Sequence, residues 1–302
     1  MRQRKLAHFF CMGLEKSSFC KVNLLLNVLG KRADGFHELE TIMQPLALFD
    51  RLELERGGGG IELTCSEPRL PVDSGNLVYR AAEAFVRTAA IREGVRLRLQ
   101  KFIPLAAGLG GGSGNAAATL LGLNELFGQP LTPAQLQAIA ASLGSDIPFF
   151  LQNRPALATG RGEQIRSLDA FPVFQGTLFV LVHPGFGIST PWAYQQLQKF
   201  PAALNGAPGR ATKLLELLQS DLELAGAAFY NSLEAPALKK YPLLRLFQNF
   251  FREQGAAGVL MSGSGSTTFA AIKGQAAAES VVQDFKAKFG NTHWITIVKG
   301  LT

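Results

Sequence analysis

The 302-residue sequence predicts a two-domain protein of the α+β class. Its length exceeds the roughly 100–200 residues usual for one domain. Stretches with two-residue alternation and stretches with helical spacing follow one another in both halves of the chain. A glycine-rich loop, with five glycines between positions 108 and 114, joins a strand pattern to a helix pattern, and a second glycine-rich text, GVLMSGSGSTTFAAIKG, lies in the second half.

Residues 1 to 14 form an extension with a basic start, RQRK, and a short apolar patch, LAHFF. The patch is too short and too interrupted for a secretory core. The basic, acid-poor composition is also that of an organelle transit peptide, and Met12 is an alternative start. CKVNLLLNVL (20 to 29) then reads as a buried strand interrupted by Lys21, Asn23 and Asn27. Gly30 and Asp34-Gly35 are turn signals, so Lys31 to His37 should form an exposed loop before a strand through TIMQPLALFDRLELE. The run RGGGG (56 to 60) is expected to be a hairpin tip joining DRLELE to IELTC.

NLVYRAAEAFVRTAAIREG places Leu77, Ala81, Ala84 and Phe85 at helical spacing, and VRLRLQ alternates as a half-buried strand. The glycine loop follows that strand. In LTPAQLQAIAASLG, Thr132 is an N-cap, Pro133 opens the helix, Gln135 completes a capping box and Gly144 is the stop. The chain is thereby delivered to Ser145-Asp146-Ile147-Pro148 at a defined point. Beyond about Phe150 come LATGRGEQIRSL, a strand GTLFVLVHP, a turn-rich GFGIST and further helical stretches. KFPAALNGAPGRA (199 to 211) reads as the flexible connection of this half.

Composition narrows the function classes. Hydrophobic residues make up 47% and charged residues 18%, a soluble globular balance, and no apolar run reaches the length of a membrane span. The net charge of +7 is spread over single basic residues without interleaved aromatics, which argues for solvated surface rather than nucleic-acid binding. The three cysteines, Cys11, Cys20 and Cys65, lack metal-ligand spacing and point to a reducing compartment with neither a disulfide framework nor a zinc site.

The glycine loop invites an anion, because residues without a Cβ let backbone N–H groups close on a phosphate at the start of a helix. A P-loop needs a lysine after its last glycine, and none occurs between Phe102 and Leu151. A dinucleotide fingerprint needs an acidic residue at the end of a second strand, whereas Glu125 falls within the following helix. On the loop alone, a tight packing turn and a phosphate cradle both remain open.

The wider wording decides further. PLAAGLGGGSGNAAA resembles the second signature of the GHMP kinase superfamily, and MSGSGSTTFA (261 to 270) resembles the third. KVNLLLNVLGKRADGFHELETIMQ (21 to 44) is similar to the first signature of the 4-diphosphocytidyl-2-C-methyl-D-erythritol kinase family within it. Further pieces, NLVYRAAEAF, LGSDIPFFL, ATGRGE, ISTPWAY and NSLEAP, extend the resemblance from about residue 15 to 275. Gly114 departs from the family's GGGSS[DN] wording, Cys20 stands where alanine is usual, and Ser232 stands where aspartate is common.

The resemblance implies a GHMP kinase fold with an ATP-binding domain over 15–165 and a ferredoxin-like α+β substrate domain over 166–302. It implies transfer of the γ-phosphoryl group of ATP, with Mg2+, to the 2-hydroxyl of the cytidine diphosphate methylerythritol acceptor, a step of non-mevalonate isoprenoid biosynthesis. Asp146 is then the base and Lys21 its electrostatic partner. Chemically, a carboxylate within reach of a hydroxyl can take its proton, while a neighbouring ammonium keeps it ionised and offsets charge on the moving phosphoryl group. Asn23 and His37 are the implied hydrogen-bond partners of cytosine and its neighbours, Phe36 and Tyr194 its stacking partners, and Thr190, Gly263, Ser264 and Gly265 complete the acceptor set.

For ATP, the implied set is Gly108, Leu109, Gly110, Gly111, Gly112, Ser113, Gly114 and Asn115 around the phosphates, with Lys101 and Pro104 beside them. Asn76, Leu77 and Val78 lie near the adenine, Ser113 is a phosphate or Mg2+ contact, and no protein cage for a metal is readable. The expected partners are small molecules, with no nucleic acid and no membrane, in a monomer or homodimer of the cytoplasm or plastid stroma. Two alternatives stand beside this reading: a GHMP kinase for another small alcohol, and a ligand-binding protein that kept the fold but lost turnover.

Overall fold

The computed structural model describes residues 13–301, so RQRK, Cys11 and Met12 lie outside the described residues. Two long strands form the centre: β1 (Leu14–Lys31) and β2 (His37–Arg56) pair antiparallel along nearly their whole length. Ser18 to Val28 are buried throughout, because this part of β1 is covered on both faces. Register shifts at Phe19/Cys20, Asn23/Leu25 and Val28/Gly30 bend the ribbon.

β3 (Ile61–Cys65), α1 (Leu77–Thr88), β4 (Val95–Gln100), α2 (Gly111–Leu126) and α3 (Pro133–Leu143) follow. Asn76 caps α1 by accepting from the Val78 amide, and Thr132 and Gln135 form the expected capping box on α3. The four-glycine run is not a hairpin tip. β4 lies between β2 and β3, antiparallel to the first and parallel to the second, so the run carries the chain past an intervening strand. Val95, Leu97 and Leu99 of β4 are buried against α1 and α2, and that central place in the sheet is what separates β2 from β3.

After a 3-10 turn at Ile147–Leu151, β5 (Ala156–Thr159) pairs with β2 and β6 (Gln164–Ser167) with β5. β7 (Thr177–His183) opens a second sheet, and α4 (Thr190–Leu197), α5 (Pro201–Leu204), α6 (Arg210–Leu217) and α7 (Leu222–Ala227) follow. The 199 to 211 segment is folded against β1 rather than a free connection: the Gly206 amide donates to the Val28 carbonyl at 2.8 Å and the Asn27 side chain donates to the Ala207 carbonyl. A Cβ on Gly206 would fall 2.0 Å from Asn27 Oδ1, so only glycine permits this approach.

β8 (Tyr230–Asn231) returns to the first sheet beside β1, and α8 (Glu234–Lys240), α9 (Pro242–Glu253), β9 (Gly258–Met261), β10 (Thr268–Lys273), α10 (Gln275–Phe289) and β11 (Trp294–Lys299) complete the chain. The second sheet has the order β11-β7-β10-β9. One of its faces packs Val180, Val182 and Ala270 on Phe247, Phe251 and Phe285 of α9 and α10. Its other face sends Phe179, Leu181 and Phe269 against Val22, Leu24 and Ile42 of the central ribbon. A cleft lies where the central ribbon, the glycine loop and the turn after β9 converge.

Candidate active site

Lys21 and Asn23 are two residues apart on β1, and their side chains meet: Lys21 Nζ donates to Asn23 Oδ1 at 2.6 Å. The ammonium also donates to the Gly108 carbonyl at 3.1 Å and stands 3.9 Å from Asp146 Oδ2. Burial lowers the Lys21 pKa, and the Asp146 charge opposes that shift. Only 3% of the Lys21 side chain is exposed against 46% for Asp146, so the lysine forms the wall and the carboxylate projects into solvent. Asp146 is delivered there by the stop of α3 at Gly144, whose carbonyl accepts from the Ile147 amide.

The glycine loop enters α2 through Gly110, held at a left-handed φ of 72° with no side-chain cap. The Gly114 amide donates to the Gly110 carbonyl, which leaves the amides of Gly111, Gly112 and Ser113 without an intrahelical partner at the positive end of the helix. All three residues line the cleft. Behind the loop, Ser262 Oγ donates to the Gly108 carbonyl, and a Cβ on Gly108 would sit 2.0 Å from the Ser262 carbonyl. Close backbone packing therefore explains part of the glycine richness. Asn231 fixes the same turn by donating to the carbonyls of Met261 and Gly263.

At the other end, His37 stacks on Tyr194 with ring centroids 4.9 Å apart. Its Nε2 is buried with no hydrogen-bond partner. Burial, with Lys31 second, lowers the His37 pKa, so the ring is neutral at pH 7 and free to accept or donate at its edge. Tyr194 has its pKa raised by burial and, second, by the charge of Asp146, which links the aromatic end to the carboxylate end. Thr190 and Ser264 share a hydrogen bond of 2.8 Å across α4 and the third glycine turn.

The cleft encloses about 1250 Å³ and brings together nearly all the residues the sequence nominated, from Lys21, Asn23, Phe36 and His37 through the glycine loop to Thr190, Tyr194, Gly263 and Ser264. Lys101, Pro104, Asn76 and Leu77 also line it. Three nominees fall outside. Val78 is buried under the first turn of α1, and a Cβ on Gly265 would point at Met261 and Ile188. Gly114 faces β1, where a Cβ would meet Ser18 Oγ at 2.7 Å and the Phe19 carbonyl at 2.8 Å. A side chain at position 114 therefore points away from the cleft and into β1, which accounts for glycine there.

Sequence reasoning missed Arg161, which lines the cleft with its guanidinium carbon 4.7 Å above the Phe36 ring. It lies in the ATGRGE text, where only its place between two glycines of positive φ marked it as a turn-tip residue. Among the described residues, no group of three His, Cys, Asp or Glu could hold a metal, and no helix is long and apolar enough to cross a membrane.

Residues 76–154 match the family model for the GHMP kinases N terminal domain, and residues 213–291 match that for GHMP kinases C terminal. A 4-diphosphocytidyl-2-C-methyl-D-erythritol kinase of Synechococcus sp. (strain JA-3-3Ab) is 43% identical over 255 residues, 82% of either chain. The chain belongs to the 4-diphosphocytidyl-2-C-methyl-D-erythritol kinase family. Members from Pelotomaculum thermopropionicum and Syntrophotalea carbinolica are 43% and 37% identical, covering 82% and 89% of this chain and 85% and 93% of their own. A crystal structure of a 4-(cytidine 5'-diphospho)-2C-methyl-D-erythritol kinase, 36% identical, superposes with a TM-score of 0.79 over 95% of this chain and all of that one. A homoserine kinase from Cytophaga hutchinsonii, at 20% identity, shares the fold with a TM-score of 0.75 over 99% of this chain and 96% of its own.

Proposed function

We propose that this kinase-family chain transfers the γ-phosphoryl group of ATP to the 2-hydroxyl of 4-diphosphocytidyl-2-C-methyl-D-erythritol. The observation that carries the reading is the continuity of one cleft, with Lys21 and Asp146 between open helix amides at one end and the His37–Tyr194 pair at the other. The open amides of Gly111, Gly112 and Ser113 hold the phosphates, with Asn76 and Leu77 beside the adenine. The unpartnered His37 Nε2 and the ring of Phe36 hold the cytosine.

Asp146 takes the proton of the acceptor hydroxyl as the phosphoryl group arrives. Lys21, with two of its donors fixed by Asn23 and Gly108, keeps its third for the site and for the charge on the moving group. Most of the acceleration comes from alignment of the two substrates and from fixed charge. The residues present fit Mg2+, since the Ser113 hydroxyl at the open helix end would be its protein ligand and this ion draws its other ligands from water and phosphate. Bound there, Mg2+ would neutralise phosphate charge.

Asp146→Asn tests this division of labour. The variant should lose at least about a hundredfold in kcat, the usual scale for a general base, while binding ATP as the unaltered chain does. Retained turnover would refute the assignment of Asp146.

A further inference from the structure

Asp50, near the end of β2, is fully buried and lines no part of the cleft. Neither the phosphate chemistry nor the acceptor chemistry uses it. Its carboxylate nevertheless gathers four donors. Oδ1 accepts from the amides of Phe102 and Ile103 at 2.7 and 2.9 Å. Oδ2 accepts from Asn115 Nδ2 at 2.9 Å and from the Lys101 ammonium. Lys101 in turn donates to Asn115 Oδ1 at 3.0 Å, and Asn115 Nδ2 reaches Ser18 Oγ on β1 at 3.1 Å.

Those donors sit at the two ends of the phosphate loop. Lys101 to Ile103 are its entry from β4, and Asn115 belongs to the second turn of α2, just past the last open amide. We propose that Asp50 is the clasp of the phosphate loop, a positioning residue whose single carboxylate closes entry and exit of the 104 to 114 segment and so sets the aim of the Gly111–Ser113 amides. The inference rests on the kinase reading for the identity of the anion, and it extends that reading to a residue outside the cleft.

The physical case is one of replacement cost. A buried carboxylate saturated by four donors is costly to disturb, and its loss leaves the nearly buried Lys101 ammonium and Asn115 amide each short of a partner. The glycines between the two ends supply no stiffness of their own. Without the clasp only the Lys101–Asn115 hydrogen bond still ties entry to exit, and the Gly111–Ser113 amides lose part of their fixed aim. The acceptor-side residues of the cleft, Asn23, Phe36, His37, Thr190 and Tyr194, make no hydrogen bond to the Asp50 carboxylate, whose partners are Lys101, Phe102, Ile103 and Asn115.

Asp50→Asn keeps one oxygen for the Phe102 and Ile103 amides but turns an NH2 group toward Lys101 and Asn115, so it releases the exit at Asn115 and the Lys101 side chain while sparing the two entry amides. Calorimetric titration of the folded variant should show ATP Kd rising about tenfold, with the Kd of the cytidine diphosphate acceptor changed by less than about twofold. Backbone amides of 101 to 115 should exchange with deuterium faster than in the unaltered chain. Asn115→Ala, whose side-chain donors and acceptor are all engaged within the protein, should shift ATP Kd in the same direction if Asp50→Asn does not fold. An unchanged ATP Kd, or equal losses for ATP and acceptor, would overturn the clasp. An unaltered chain that binds no ATP would refute the kinase reading instead.

Discussion

Lys21 illustrates how one position acquires a role from its own strand and two distant pieces of chain. Its ammonium is held by Asn23 on its own strand, by the Gly108 carbonyl and by the Asp146 charge. The residue type and its place in a buried strand are visible in the text KVNLLL, but nothing in that text tells which carboxylate it will face. Arg161 is the converse case. Its cation over Phe36 depends on β5 pairing with β2, a contact across most of the first domain that no local pattern encodes. His37 carries a testable consequence at this scale. Its pKa lies below the ordinary 6.5 because burial disfavours the cation, so the ring is neutral at pH 7 and charges only as the pH falls below that value. The acceptor KM should therefore rise as the pH falls through this lowered pKa, while the ATP KM stays level, measured by steady-state kinetics between pH 5 and 8. Parallel rises for both substrates would disconnect His37 from the acceptor.

Helix ends and turns were the elements most legible in the sequence, because their chemistry is local. Thr132, Gln135 and Gly144 act at the positions their residue types dictate, whereas the Asn76 cap of α1 was not read from the sequence. Sheet order was not legible. The four-glycine run looks the same whether the next strand pairs with the one before it or beyond a third strand, and here β4, which comes later in sequence, takes the intervening place. The glycine loop was legible as the join between a strand and a helix, but the division of labour among its glycines was not. Gly110 sets the left-handed entry, Gly108 admits the turn after β9, and Gly114 lets α2 press on β1. Gly114→Ala should destabilise the protein by about 1–3 kcal/mol in urea unfolding, the range for overpacking, because its Cβ must displace the Phe19 carbonyl. A neutral effect would show that α2 can move away from β1 without loss.

The two sheets interlock over the whole molecule rather than meeting at one linker. β8 joins the first sheet from the later half, and the chain end crosses back, with Gly300 bridged to Leu46 and the Gln44 side chain donating to the Leu301 carbonyl. Glu234 adds a buried tie by accepting from the Met261 amide and the Gln248 side chain. The turn after β9 is held against the glycine loop by Ser262 Oγ donating to the Gly108 carbonyl and the Thr267 amide donating to the Ala107 carbonyl, which fixes the geometry between the two ends of the cleft. The kinase reading depends on that geometry more than on any one residue. Phosphorus NMR of the purified chain with Mg-ATP and 4-diphosphocytidyl-2-C-methyl-D-erythritol tests it most directly. The account predicts one new phosphomonoester, on the 2-hydroxyl of the acceptor, for each ADP formed; ADP without that phosphomonoester, or no consumption of ATP by folded protein, would contradict it.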